Sequence, residues 1–136
     1  MQEDVLRRFF LGATGADVLA EDLKGAQVPK GPKTTVHPIV DMDIEFEVRP
    51  EHLVRVCDAV LAGAIQVDDL KAIGFCLEAS NHFLWDGDSE SGALVANTAA
   101  DWCSPEINFP LTVSNVQKFR DRLITGRDSL RGSPVA

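Results

Sequence analysis

The sequence predicts a mainly α-helical, single-domain bundle that carries one small β hairpin near residues 33–48. Apolar residues recur at helical spacing in several separate segments, whereas only one segment alternates apolar and acidic residues. The length of 136 residues suits one domain, and 45% hydrophobic residues suffice for its core. We assign residues 1–126 to this helical domain and expect the polar residues 127–136 to form a flexible C-terminal tail.

Two short helices are predicted at the N-terminal end, and a glycine follows each of them. Gly12 ends the first helix and Gly25 ends the second, because glycine is the residue that most readily leaves helical geometry. The apolar stripes consist of Val5, Leu6, Phe9 and Phe10 in the first helix and of Val18, Leu19 and Leu23 in the second. The prolines that follow, at positions 29, 32 and 38, exclude a helix there.

The segment DMDIEFEV, residues 41–48, is the clearest alternation in the chain. Asp41, Asp43, Glu45 and Glu47 point to one face, and Met42, Ile44, Phe46 and Val48 point to the other. A period of two predicts a half-buried β-strand. Because an isolated strand leaves its backbone groups unpaired, we expect this strand to form a hairpin with TTVH, residues 34–37.

Four longer helical patterns follow, over residues 49–65, 67–83, 92–102 and 113–125. Pro50 suits the first turn of a helix, where its missing N–H has no consequence. Thr112 or Ser114 is placed to cap the last helix, and Gly126 ends it. The predicted buried faces contain Leu53, Val54, Cys57, Val60, Leu61 and Ile65, then Leu70, Ile73, Leu77 and Phe83, then Leu94, Val95, Thr98 and Trp102, and finally Val116, Phe119, Leu123 and Ile124.

The connection DWCSPEINFPLT, residues 101–112, is interpreted as a rigid corner between two helices. Prolines at positions 105 and 110 exclude helical geometry for the residues before them. We expect Trp102, Ile107 and Phe109 to fill the end of the bundle while Asn108 faces solvent. On this interpretation the corner has a structural role and no functional one.

The net charge of −8 is unevenly distributed along the chain. Residues 38–106 contain fourteen acidic residues against only three basic ones, a net charge of −11, whereas residues 107–136 carry a net charge of +3. This distribution argues against binding to nucleic acid or to an anionic membrane, and it favours a basic protein partner. Three cysteines without a CxxC motif, no apolar run of signal-peptide length and no membrane-spanning run predict a cytoplasmic protein with reduced thiols.

No motif predicts a metal, a cofactor or a catalytic residue. Asp41 and Asp43 form a DxD pair, but they belong to a longer acidic alternation. DGDSESG, which begins at Asp86, starts like a calcium loop, yet its glycine is at the seventh position and the twelfth is Asn97. The three candidate bases, His37, His52 and His82, have no signature around them. A nucleophile–base pair assembled from distant residues stays open.

Three segments resemble a group of small acidic bacterial proteins: VLRRFFLGATGADVLAEDL, SNHFLWDGDSESG and DWCSPEINFPLTVSNVQKFRDRLITG. Some members of that group are immunity proteins to colicin-type and contact-dependent toxins. The resemblance spans most of the chain and implies a non-catalytic protein that occludes the active or binding surface of a basic toxin. The strand-like segment 39–48 departs from the purely helical immunity proteins related to that of colicin D.

Two acidic segments are the predicted partner-binding site, with a tryptophan as the aromatic anchor that such interfaces use. The predicted binding residues are Asp41, Asp43, Glu45, Glu47, Trp85, Asp86, Asp88 and Glu90. The alternative for these acids is a solvated face that keeps the protein soluble. The alternative functions are a regulatory or housekeeping interaction module, for which a homodimer stays open, and a small metal-dependent enzyme.

Overall fold

The computed structural model describes residues 1–24, 28–29, 35–36, 39–127 and 130, and it confirms the mainly helical prediction. Within these residues the helices are α1 Glu3–Phe10, α2 Ala16–Leu23, α3 Pro50–Leu61, α4 Asp69–Ala79, α5 Glu90–Cys103 and α6 Val113–Thr125. The strands have two residues each: β1 Val28–Pro29, β2 Thr35–Val36, β3 Phe46–Glu47 and β4 Phe83–Leu84. None of the helices in the described ranges is long and apolar enough to cross a membrane.

Several helix ends follow the residues that predicted them. Pro50 is the first residue of α3, and Gly12 and Gly126 take the positive φ angles of 74° and 75° that end α1 and α6. The hydroxyl of Thr112 accepts a hydrogen bond from the backbone N–H of Asn115 at 3.1 Å, so Thr112 is the cap of α6. Gly25 and most of the predicted tail lie outside the described residues.

The core forms where α4 packs on α5 and α3 packs on α6. Gly74 allows the first of these pairs to approach closely, since a Cβ atom there would lie 2.6 Å from the backbone nitrogen of Cys103. Trp102 is fully buried and meets the ring of Phe119 edge-on at 6.1 Å. The other fully buried apolar side chains include Leu6, Leu19, Leu53, Leu70, Ile73, Leu77, Val95 and Val116.

The predicted apolar faces are wrong at a few positions. Val18 and Ile124 are exposed, because the helices that carry them bury narrower stripes than the sequence pattern predicts. Ile107 is 79% exposed, whereas Trp102 is buried and Phe109 packs against Phe119 at 6.3 Å. The carbonyl of Ser104 accepts the N–H groups of Ile107 and Asn108, and this turn directs Ile107 away from the core.

Two predicted helices are shorter than expected because the chain turns early. Gly63, with a φ angle of 78°, follows α3, so the helix ends at Leu61 and not at Ile65. The hydroxyl of Ser80 accepts the N–H groups of both His82 and Phe83 after the end of α4. These bonds compete with helical ones and release Phe83 into β4.

The predicted hairpin near residues 33–48 is wrong in its pairing. β3 pairs in parallel with β4, with Phe46 opposite Phe83 and Glu47 opposite Leu84, while β2 pairs antiparallel with β1. The aromatic ring of Phe46 lies 6.3 Å from that of Phe83 and 5.9 Å from that of Phe10. Because this pairing packs the three rings together, it favours β4 as the partner of β3 over the nearby residues 34–37.

Candidate protein-binding surface

The β3–β4 pairing places the two predicted acidic segments side by side. The N–H of Phe46 donates to the carbonyl of His82, and that of Val48 donates to the carbonyl of Leu84, both at 2.8 Å. A cleft of about 250 Å³ beside this pair is bordered by Glu47 from one segment and by Asp86 from the other. The sequence predicts the two segments separately, and the structure joins them into one surface.

We call this region the acidic surface and define it as the eight predicted residues Asp41, Asp43, Glu45, Glu47, Trp85, Asp86, Asp88 and Glu90. All seven carboxylates are exposed, and Trp85 is half-buried against the core. The alternation of segment 41–48 is confirmed for buried Met42 and Val48 but is wrong for Ile44. The backbone bends at residues 43–44, so Ile44 leaves the buried face.

Little of this negative charge is neutralised within the described part of the chain. Glu47 pairs with Arg49 at 2.7 Å, and no other carboxylate of the acidic surface forms a salt bridge with a described residue. Two of the acids also have local structural roles. Asp86 accepts the N–H of Asp88 at 3.0 Å, and Glu90 lies in the first turn of α5, where the helix dipole favours a negative charge.

Exposed apolar side chains lie within the acidic segments or directly before them in the chain. Val40 is 61% exposed, Ile44 is 45% exposed and Leu84 is 42% exposed. Leu84 is the direct neighbour of Glu47 in the strand register and precedes Trp85 in the chain. Apolar residues surrounded by charged ones are the usual composition of a protein–protein interface, with an apolar centre and a polar rim.

A buried acidic side chain, Glu3, fixes the start of the acidic surface, and no motif in the sequence singles it out. Its Oε1 atom accepts the N–H of Met42 at 3.0 Å and lies 3.1 Å from Nδ1 of His82. The N–H of Glu3 donates to Val40 at 3.0 Å, so the first turn of α1 holds segment 40–42 in place. Helical spacing places Glu3 on the same face of α1 as Leu6 and Phe10, and this spacing is the one indication in the sequence that Glu3 is buried.

A groove between α1 and α2 extends the negative charge beyond the predicted residues. It has a volume of about 640 Å³ and is lined by Gln2, Val5, Asp17, Val18, Glu21 and Asp22. Glu21 pairs with Lys24 at 2.8 Å. Gln2, at the edge of the groove, forms a parallel bridge with Val40, the residue before Asp41. Helical spacing alone does not associate the acids of α2 with Val40, because the bridge joins residues that are far apart in the chain.

The candidate bases and thiols have structural surroundings. Burial raises the pKa of Cys57 and of Cys76 to about 12, so neither thiol forms a nucleophilic thiolate at neutral pH. His82 contacts Glu3 and not Cys76, and the ring of His52 packs against those of Phe10 and Phe46. His37 lies outside the described residues.

Among the residues that the structure describes, no three His, Cys, Asp or Glu side chains converge in a way that could hold a metal ion. Comparisons with models of known protein families, with characterised proteins and with solved structures find no match to this chain.

Proposed function

We propose that this protein is a non-catalytic binding protein whose acidic surface covers a basic surface of a partner protein. The observation that carries the proposal is the β3–β4 pairing, which combines two exposed acidic segments with exposed Ile44 and Leu84. An acidic rim around apolar residues suits a partner that presents Lys or Arg side chains around an apolar patch.

Electrostatics gives such a complex a physical advantage. The exposed carboxylates repel one another in the free protein, and a basic partner relieves that repulsion. The same charges attract the partner before contact and raise the association rate. Desolvation of Leu84 and Trp85 then provides the apolar contribution that holds the complex together.

The kind of partner that fits best is a basic bacterial toxin, and the proposed role is that of a cytoplasmic immunity protein. The resemblance to acidic immunity proteins supports this choice, and so does the concentration of negative charge in residues 38–106. The protein would act by occlusion, since a bound acidic surface excludes the toxin's substrate by volume and by charge. This role requires no catalytic residue, metal or cofactor of its own.

A homodimeric interaction module is the second candidate, and one observation favours it. An apolar cleft of about 280 Å³ between α3 and α6 is lined by Pro50, Glu51, Val54, Leu123 and Ile124. Exposed Ile124 would be covered if two copies met there. Light scattering distinguishes the candidates, because the immunity role is compatible with a monomer and this second role is not.

We expect a basic toxin domain to be encoded beside this gene, and the proposed function is tested with that domain by calorimetry and by inhibition of the toxin's activity. The variant Asp43→Lys/Glu45→Lys is expected to bind at least about tenfold more weakly than the natural protein. The matched control Glu78→Lys/Asp121→Lys makes the same change in net charge on the exposed faces of α4 and α6 and should bind normally. Equal weakening of both variants, or no binding by the natural protein, would refute the proposal.

A further inference from the structure

His52 connects the start of α3 to β3 of the acidic surface. Its Nδ1 atom accepts the backbone N–H of Arg49 at 2.9 Å, which closes the first turn of α3. Its ring stacks on that of Phe10 in α1 at 5.3 Å and packs against that of Phe46 in β3 at 5.0 Å, with the two ring planes tilted by 48°. Because Nδ1 is the acceptor, the contact with Arg49 exists only while that nitrogen carries no proton.

Protonation of the imidazole would break this arrangement. A proton on Nδ1 faces the N–H of Arg49, so two donors meet and the hydrogen bond is lost. The backbone N–H of Arg49 then has no side-chain acceptor at the start of α3. Because burial of a charged group is unfavourable, the protonated ring moves towards water. Phe46 would lose one of the rings that hold β3 against the helices.

The surroundings of His52 oppose this protonation until the solution is mildly acidic. Burial is the main cause that lowers the pKa of His52 from its ordinary value of 6.5; the nearby charges are Glu51, which raises it, Arg49, which lowers it, and Glu47, which raises it. From α1 the ring meets uncharged Phe10. An unfolded chain therefore takes up this proton first, and stability is lost as the pH falls below 6.5 towards the lower native value.

We propose that His52 is a proton-sensitive latch of the acidic surface, closed at neutral pH and opened in mild acid. The neutral ring fixes β3, and with it Glu47, against α3. The protonated ring releases β3, and the bound partner is held less tightly. The biological meaning of the latch depends on the proposed function, because it regulates the same surface.

The free, ¹⁵N-labelled full-length protein is the probe for this latch. Amide exchange at Arg49 and Phe46 is followed by NMR between about pH 7.5 and about pH 5 and is corrected for the intrinsic effect of pH. We expect the corrected exchange to become about fivefold faster in acid, the size of effect that follows the loss of one helix cap. His52→Gln is the matched variant, because glutamine at this position accepts the same N–H and does not titrate. Its exchange should stay constant.

Two outcomes would overturn the latch. One is the same acid transition in His52→Gln, which would show that His52 does not cause it. The other is a side-chain ¹⁵N spectrum of the natural protein in which Nδ1 of His52 carries a proton at neutral pH, a result independent of whether the variant folds. Because both experiments use the free protein, the latch can fail while partner binding stands, and partner binding can fail while the latch stands.

Discussion

Trp102 and Ile107 lie five residues apart in one corner, yet only Trp102 belongs to the core. We expect Trp102→Ala to lower the free energy of unfolding by about 3–5 kcal/mol, the usual cost of truncating a large buried aromatic side chain. Ile107→Ala is the matched control and should change it by less than about 0.5 kcal/mol. Urea unfolding followed by circular dichroism gives both values. Similar losses in the two variants would contradict this packing of the corner.

Glu3 is a fully buried acidic side chain with a positioning role. Removal of its carboxylate in Glu3→Ala leaves the buried N–H of Met42 without its acceptor. We expect the free energy of unfolding to fall by about 1–3 kcal/mol, the cost of one unsatisfied buried group. Asp121→Ala, an exposed acid on α6, should change it by at most about 0.5 kcal/mol. If hydrogen exchange at Met42 were unaffected in Glu3→Ala, the contact would not exist in solution.

The three cysteines differ in solvent exposure, and we expect the most exposed thiol to react fastest. Cys57 and Cys76 are buried with pKa values of about 12, whereas Cys103 is half-buried. With a thiol-specific reagent at about pH 8, Cys103 should react first and the other two only after unfolding. Mass spectrometry of the labelled peptides measures the order. Labelling of Cys57 or Cys76 at the rate of Cys103 in the native protein would show that the core opens readily.

At the scale of elements, the local spacing of apolar residues predicts where the helices lie, but it does not predict which strands pair. Segment 41–48 shows its alternation in the sequence, and its acids are exposed as predicted. Its partner, Phe83–Leu84, lies beyond α3 and α4, and no local pattern identifies it. The pairing depends on the burial of Phe10, Phe46 and Phe83 against one another, which becomes visible only when the helices are in place.

The contact between α4 and α5 depends on Gly74. Alanine usually stabilises a helix relative to glycine by about 1 kcal/mol. In Gly74→Ala the new Cβ would lie 2.8 Å from Cβ of Trp102, so the two helices must separate. We expect a net destabilisation of about 1–3 kcal/mol, measured by urea unfolding. Gly87→Ala is the control, because a Cβ there meets no atom within 4 Å. A gain in stability for Gly74→Ala would contradict this helix contact.

At the scale of the whole molecule, the sequence predicts the sign and the rough place of the charge but not its geometry. The acids of segments 41–47 and 86–90 are exposed, as a solvated or partner-binding face requires. Their adjacency requires the β3–β4 pairing, and the position of Asp41 beside the start of α1 requires the bridge between Gln2 and Val40. Both contacts are long-range, so composition and periodicity contain no information about them.

The central claim is that the acidic surface attracts a basic partner, and the association rate tests it most directly. Stopped-flow association with the basic toxin domain that we expect beside this gene is measured at low and at physiological salt for the natural protein, Asp43→Lys/Glu45→Lys and Glu78→Lys/Asp121→Lys. The account predicts that the first variant associates at least about tenfold more slowly than the control variant at low salt. It also predicts that the difference shrinks as salt screens charges beyond about 10 Å. Equal rates for the two variants at low salt would contradict the claim and leave this face as solvated surface.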